Sequence, residues 1–407
     1  TWNGNYLFYI SWLFDGGVET ALTALQTQVA ADDNTGSKEF VYEQLYFNFS
    51  VLDANGTRNH IGSDKRIEGA RIYFKKSGTA ERFLLAEVSL VDGIKGALDS
   101  TFQPWTLSTN EHHHTSIVFD DPPEVYSYAS LNGYYANEVY TESFDEIAHT
   151  TAGPTAISSG TDGLRYKTVV VGQQGIVFIG NVLFQKNHMP DAMMFSMLGK
   201  PAVFPKFNRF DSPSSDGSPI TALASFKDTI LQFKQNAMYV INVSNPAQFY
   251  AEKSFRDCGV FNPCQVFTTS FGVIFVNKHG CFIYDGQKVI SLTDGKLDWI
   301  GLSGVSESES NGSDANVPCI GYDPRSRSIV VLTNIGDDST ARGSWIYDMM
   351  TQSWSQGSDT ISNADGTRHT NFIITSDGYL TTKRSTSDTI LNYNHDKSVD
   401  TGAQTIQ

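Results

Sequence analysis

The sequence predicts an all-β chain, a β-propeller with an inserted Ig- or fibronectin-type β-sandwich, and three observations predict it. Short apolar strands alternate with turn residues over most of the length. From Thr168 onward the strands gather into clusters whose equivalent positions lie 43 to 56 residues apart, the spacing of propeller blades. The 407 residues include 34 Gly, 26 Phe and 18 Tyr but few runs of helix formers, a composition suited to pleated surfaces.

The first 100 residues carry the sandwich. Tyr6 to Phe14 alternates Tyr6, Phe8, Trp12 and Phe14 with Leu7, Ser11 and Leu13, and runs into Asp15-Gly16-Gly17, a strand ending in a turn. A more helix-compatible stretch spans Glu19 to Ala31. Strands return at Glu43 to Leu52, Ala70 to Lys75 and Arg82 to Val88, with turns at Asn55-Gly56 and Ser77-Gly78. Leu45, Phe47, Phe49 and Val51 keep a period of two, so one face is buried and the other wet. Residues 101–165, with Asp120-Asp121-Pro122-Pro123 in the middle, read as a connector over a surface that re-enters the propeller.

Residues 166–407 carry the blades. Clusters at Thr168 to Phe184, Ile220 to Val243, Gly272 to Leu292, Ser328 to Trp354 and Asn371 to Asn394 can be aligned on Val177, Leu231, Ile274, Val330 and Ile373. The third cluster sets the pattern. Val273 to Val276 is a strand, Asn277-Lys278-His279-Gly280 a turn, Cys281 to Tyr284 a strand, Asp285-Gly286 a hairpin with both residues at positive φ, and Lys288 to Leu292 a third strand. Tyr-Asp closes a strand at Tyr284-Asp285 and Tyr347-Asp348, and another Asp-Gly turn stands at Asp377-Gly378. The sequence opens at Thr1 without Met, inside what reads as a strand, so residues upstream are expected, and they would supply a sixth or seventh blade. The competing all-β reading is a pair of stacked sandwiches.

Chemistry is thin in this sequence. His112-His113-His114 would place His112 and His114 on one side of a strand, but two ligands do not make a metal site, and a solvated loop is the simpler reading. Asp120 and Asp121 face apart in an extended chain, so they read as a turn before two prolines rather than a glycosidase pair. Nucleophile-elbow, zinc-protease, phosphate-loop and dinucleotide motifs are absent, as are repeated sialidase turns, Ser376-Asp377-Gly378 being a fragment. The Asn-x-Ser/Thr sites at Asn48, Asn55, Asn242 and Asn311 are what chance gives. No catalytic, cofactor or metal residue is assigned, and the chain reads as a non-enzyme. Cys258, Cys264, Cys281 and Cys319 contain no C-x-x-C pair and read as buried free thiols, two disulfides being open but unforced. The net charge of −15 argues against a protein that grips nucleic acid, and no apolar run approaches a bilayer span.

The wording of the strands carries a resemblance. Ile220 to Asn242, Cys258-Gly-Val-Phe-Asn-Pro263 and Gly272 to Gly286 resemble the propeller of tail hub or nozzle proteins of tailed, podovirus-type bacteriophages, the packaged-DNA stabilisation group. Asp120 to Gly133 and Ile179-Gly-Asn-Val182 resemble the passages where such chains re-enter the propeller, and Arg71 to Gly78 is similar to their fibronectin-like insertion. The resemblance implies a virion structural protein that forms a closed homo-oligomeric ring, in such families commonly of about six subunits. The ring would sit below the portal and head-to-tail adaptor, with tail fibres or spikes as further partners and double-stranded DNA passing non-specifically through its centre until ejection. No individual functional residue transfers. Two other readings stand beside it: a receptor- or glycan-binding tail protein stacking sugars on Trp299, Trp345 and Trp354, and a secreted propeller hydrolase.

Overall fold

A computed structural model describes residues 1–15, 18–25, 37–51, 67–107, 113–135, 138–140, 164–184, 187–211, 217–246, 248–302, 307, 317–332, 344–357, 371–383 and 390–393. The chain divides into two units. One comprises Thr1–Arg165, Leu183–His188 and Phe195–Arg209; the other comprises Tyr166–Val182, Met189–Met194 and Phe210–Gln407.

The first unit is built on β1 (Trp2–Phe14), which pairs with β2 (Val18–Glu19), β3 (Thr23–Ala24), β4 (Ser37–Glu43) and β6 (Ile67–Lys76); β7 (Phe83–Ser89) and β8 (Gly93–Gly96) extend the sheet. A second sheet has the order β5 (Leu45–Val51), β10 (His113–Phe119), β9 (Thr106–Leu107). Between the sheets lies an aromatic core of Trp2, Tyr6, Phe8, Phe40 and Phe74 with Leu45 and Ile117, onto which Phe47 and Phe49 pack, a two-sheet sandwich. The other face of the large sheet is covered by α1 (Tyr128–Asn132) and by Tyr134, Val139 and Val203. There β11 (Val139–Tyr140) pairs with β15 (Phe204–Pro205).

Both faces of β6 are therefore buried. Ala70, Ile72 and Phe74 enter the sandwich core, and Ile67 and Tyr73 the opposite cluster. In β1 a register shift between Leu13 and Phe14 lets Phe14 join the second cluster while Tyr6 and Phe8 stay in the first.

Two stretches differ from the sequence expectation. Where Glu19 to Ala31 reads as helix-compatible, the described part is extended, since Glu19 pairs with Leu13 and Thr23 with Ile10 of the long β1. Sheet pairing outweighs local propensity there. His113, expected in a loop, begins β10, where Thr115 and Ile117 point inward and His114 and Val118 outward. The alternation is hidden in the sequence because the inward Thr115 is polar and the outward Val118 apolar. His112, Gly16-Gly17 and Asn55-Gly56 lie outside the described residues.

The second unit holds the blades. The strands β12 (Leu164–Val171), β13 (Val177–Phe184), β14 (Asn187–Phe195) and β16 (Arg209–Asp211) form one four-stranded sheet. The next is a plain meander of β17 (Ala222–Phe226), β18 (Thr229–Phe233), β19 (Ala237–Asn242) and β20 (Tyr250–Arg256). It is followed by β21 (Val266–Thr268), β22 (Val273–Asn277), β23 (Gly280–Tyr284) and β24 (Val289–Ser291). Then come β25 (Cys319–Asp323), β26 (Ser328–Leu332), β27 (Ser344–Asp348) and β28 (Ser353–Gly357). The last sheet consists of β29 (Ile373–Ile374), β30 (Leu380–Lys383) and β31 (Ile390–Asn392).

First strands of successive sheets lie side by side, β17 against β21 and β21 against β25, which is how blades meet about a propeller axis. The apolar run of β22 follows from this stacking. Val273 and Phe275 pack toward Leu231, Phe233, Met238 and Val240 of the preceding blade, while Ile274 and Val276 pack toward Ile320, Ile329 and Val331 of the next. Val330 and Leu332 in turn meet Phe372 and Leu380 of the last sheet. The chain is all-β, a β-propeller with a β-sandwich.

The third blade's turns differ in detail from the sequence expectation. Gly280 does not need positive φ. It is required because a Cβ there would sit 2.7 Å from the Thr293 hydroxyl, and the turn is held by Asn277 Oδ1, which accepts from the backbone N–H of His279 and Gly280 at 2.8 and 3.2 Å. In the next hairpin Asp285 N donates to Lys288 O at 3.2 Å, so Gly286 and Gln287 are the central pair, and of Asp285 and Gly286 only Gly286 has positive φ, at 101°.

One residue of the second blade works against the fold. Gln232 on β18 is fully buried, and neither amide atom has a hydrogen-bond partner among the described residues. An unpaired buried amide costs roughly 1–3 kcal/mol. Gln232→Met, which keeps the shape and removes the polar atoms, is expected to stabilise the protein by about 1 kcal/mol or more, read as a higher urea midpoint at unchanged slope. An unchanged or lower midpoint would show the amide to be satisfied.

Candidate functional site

Titratable side chains converge most densely in the sandwich unit, around Glu19. Its pairing with Leu13 on β1 turns the carboxylate toward the face of the large sheet that carries Arg71 and Tyr73, two residues apart on β6 and so on one side. Ser11 and Tyr73 hydroxyls donate to Oε1 at 2.6 and 2.7 Å, and the Arg71 guanidinium and Asn132 amide donate to Oε2 at 2.7 and 2.8 Å. Asn132 comes from the last turn of α1, whose Ser127 cap and Gly133 stop at φ 80° fix where the helix ends.

The surrounding shell is aromatic and cationic. Tyr128 donates to Thr20 O at 3.0 Å, and Lys200 donates to Asn132 O at 2.8 Å with its ammonium 4.8 Å from the Tyr134 ring centroid. Arg71 also meets Glu87 at 3.2 Å, with Lys95 3.6 Å from the same carboxylate. Burial, then the negative Glu19, pushes the Tyr73 hydroxyl far above its ordinary range, so it remains a donor. Burial alone would weaken the Arg71 charge, but Glu19, Tyr73 and Glu87 together more than offset this and raise it.

The chemistry of this arrangement is closure rather than turnover. Glu19 is 1% exposed, and its two oxygens already accept four hydrogen bonds. A general base needs a free lone pair within reach of a substrate proton, and here the lone pairs tie β1, β2, β6 and α1 together. Sequence reasoning passed over Glu19 because a single carboxylate in a helix-compatible stretch gives no motif; Arg71 and Asn132 are 52 and 113 residues away.

A second recurrent device lies at blade hairpins. After Tyr284 and Tyr347, Asp285 Oδ1 accepts from Gln287 and Lys288 N–H at 2.8 and 2.9 Å, and Asp348 Oδ1 from Met350 and Thr351 N–H at 2.7 and 3.3 Å. Tyr322-Asp323 is a third instance that the Tyr-Asp signal could have found, with Asp323 accepting from Arg325 and Ser326 N–H, both at 3.2 Å. Backbone N–H groups of Lys288 and Met350 lead the influences that hold Asp285 and Asp348 below the usual carboxylate range. These tips stay anionic at neutral pH.

The residues singled out from sequence are scattered. His114 is exposed on β10. Asp120 accepts from Gln44 Nε2 at 2.6 Å, whereas Asp121 meets the Thr1 amino group, so the two carboxylates serve different partners. Among the described residues no group of three or more His, Cys, Asp or Glu is gathered to hold a metal, and no helix is long and apolar enough to cross a membrane. The tryptophans that the sugar-binding reading would use lie between blades, where aromatics of blade strands are more often found. Trp299 and Trp345 are 3% and 9% exposed, Trp299 donates to Asn277 O at 3.0 Å, and Trp354 donates to Leu292 O at 2.9 Å.

No family model matches the chain, and no curated protein matches it. Solved structures with similar architecture include YCF48 bound to a D1 peptide, at 10% identity and TM-score 0.34, covering 56% of this chain and 63% of that one. A protein from Lactobacillus plantarum is similar at 11% identity and TM-score 0.38 over 66% of this chain and 80% of its own. The N-terminal domain of Nup159 follows at 10% identity and TM-score 0.28, over 56% and 73%. The chain thus spans less than two thirds of the YCF48 structure, and similarity at this level carries no inference about what this chain does.

Proposed function

We propose that the chain is a structural subunit of a bacteriophage tail, a hub or nozzle that closes with copies of itself into a ring, holds the packaged genome back and lets it pass on ejection. The observation that carries this reading is where the resembling passages fall. Ile220 to Asn242 covers β17 to β19, and Gly272 to Gly286 covers β22 and β23 with their turns. Two of the passages that resemble tail hubs thus coincide with whole strands and their turns in successive blades.

Charge supports the same reading. A channel that lets a duplex slide must not grip phosphates, and on this reading acidic residues of a chain with a net charge of −15 would repel them within a Debye length of about 8 Å at physiological salt. A ring of identical subunits needs heterologous contacts that close, and the partners on this reading are the portal, the head-to-tail adaptor and the fibres or spikes.

The test is size-exclusion chromatography with light scattering, alone and with the adaptor protein, followed by negative-stain imaging. Closed rings with a central hole wide enough for duplex DNA are the expected result. A chain that stays monomeric even on the adaptor removes the proposal, and glycan-array binding by that monomer would put the adhesion reading in its place.

A further inference from the structure

Of the four cysteines, Cys264 and Cys319 share one core. Cys264 sits in the 3-10 turn Pro263–Gln265 that leads into β21, and Cys319 opens β25 in the following blade. The turn lies against β25. Both side chains belong to the apolar cluster of Val317, Val330, Leu332, Phe372 and Leu380, and the Cys264 thiol donates to Pro318 O, the carbonyl next to Cys319, at 3.4 Å. Cys281 belongs to a different cluster, with Trp299 and Trp345, and Cys258 borders a third, with Val260 and Phe275.

The turn is held firmly in place. Gln265 Oε1 accepts from Phe261 and Asn262 N–H at 2.8 and 2.9 Å, Gln265 Nε2 donates to Val276 O at 2.9 Å, and Asn262 caps Cys264 N at 3.2 Å. A sulfur carried by such a turn has little freedom to leave its neighbour.

We propose that Cys264 and Cys319 are a covalent cross-linking site, joined by a low-molecular-weight disulfide such as oxidised glutathione into a staple between the third and fourth blades. One protein thiolate attacks a sulfur of the small disulfide, forming a mixed disulfide and expelling one small thiolate. The second protein thiolate then attacks the protein sulfur of that mixed disulfide and expels the other. Two protein thiols are oxidised to one disulfide, one small disulfide is reduced to two small thiols, and the two protein protons end on those thiols.

The folded pair is slow to react. Contact with the Cys319 thiol, with burial, holds the Cys264 thiol well above its ordinary range, and only the thiolate attacks. Exchange is therefore expected during folding, when the turn is open. The bond would close a loop between positions 264 and 319 and shift the unfolding equilibrium toward the native state by a factor on the order of a thousand in the chain-entropy account.

The experiment refolds the chain in a mixture of oxidised and reduced glutathione, and in parallel in dithiothreitol. Free thiols are then blocked by alkylation in denaturant, and the protein is digested without reduction for mass spectrometry. The expected result is one linked pair, the Cys264 peptide with the Cys319 peptide, with Cys258 and Cys281 alkylated. The oxidised form should also show a higher urea midpoint that falls to the reduced value on adding dithiothreitol. Cys264→Ala and Cys319→Ala should each fold to the reduced form's midpoint or below it and gain nothing from oxidised glutathione. Recovery of both cysteines alkylated after oxidative refolding, or their linkage to Cys258 or Cys281 instead, overturns the proposal. So does a linked pair with no gain in midpoint, because the bond would then not be a staple.

Discussion

Glu19→Ala is expected to destabilise the sandwich unit by about 3–5 kcal/mol, the cost of leaving one member of a buried ion pair behind. Four donors lose their acceptor at once: the Ser11 and Tyr73 hydroxyls, the Arg71 guanidinium and the Asn132 amide. Arg71 keeps Glu87 at 3.2 Å and its side chain is 23% exposed, which places the loss toward the lower end of that range. Asn132 keeps Tyr128 O at 3.2 Å and Ser11 only the long contact to Arg71 O at 3.5 Å, while the fully buried Tyr73 hydroxyl loses the acceptor it has in Glu19. Glu19→Gln keeps the shape but brings an amide NH2 among four donors, so it should recover little.

Hydrogen exchange read by mass spectrometry checks this locally. Peptides from β1, β6 and α1 should lose protection in Glu19→Ala while β22 and β26 peptides keep theirs. A variant within about 1 kcal/mol of the parent, the size of an ordinary hydrogen-bond loss, would mean that Glu19 is not the clamp described above.

The contrast between the two units explains what could be read in advance. Blade strands announce themselves because each central strand is sandwiched between neighbours and is apolar on both faces, as Val273 to Val276 and Ile329 to Leu332 are. Their spacing then follows from one blade being a fixed length of chain. Hairpin details were less legible. Lys227, Arg327 and Gln352 hold φ values of 52°, 53° and 56° without being glycine, so no turn residue flags them, and Asp285 acts through its side chain rather than by positive φ. The Glu19 cluster was not legible at all, because it is assembled from β1, β2, β6 and α1 by pairings that no local pattern encodes. The tryptophans were ambiguous for the opposite reason, although core is the commoner place for an aromatic in a blade strand. An aromatic residue after a turn suits a ligand surface or a blade interface equally well, and only packing decides between them.

Trp299→Ala is expected to cost the propeller unit about 3–5 kcal/mol, the usual range for emptying a buried aromatic site. Trp299 follows β24 and fills the space between the third and fourth blades, in one cluster with Ile274, Val276 and Leu292 on one side and Ile329, Val331 and Tyr347 on the other. Its ring lies 5.6 Å from that of Trp354, and Trp354 lies 5.0 Å from Tyr347, both pairs tilted, so removing the first ring loosens a cluster of three. The Asn277 carbonyl also loses the indole N–H at 3.0 Å, at the residue whose side chain shapes the β22–β23 turn. Trp299→Phe should restore about half of the loss, because it refills the volume without the hydrogen bond. All four cysteines lie in this unit and Cys281 belongs to the same cluster, so reactivity of the thiols in increasing urea follows the propeller without interference from the sandwich. Thiol exposure at a clearly lower urea concentration in Trp299→Ala, with Trp299→Phe in between, is the outcome that fits an inter-blade keystone. Identical exposure curves for all three proteins would show that Trp299 does not hold the two blades together.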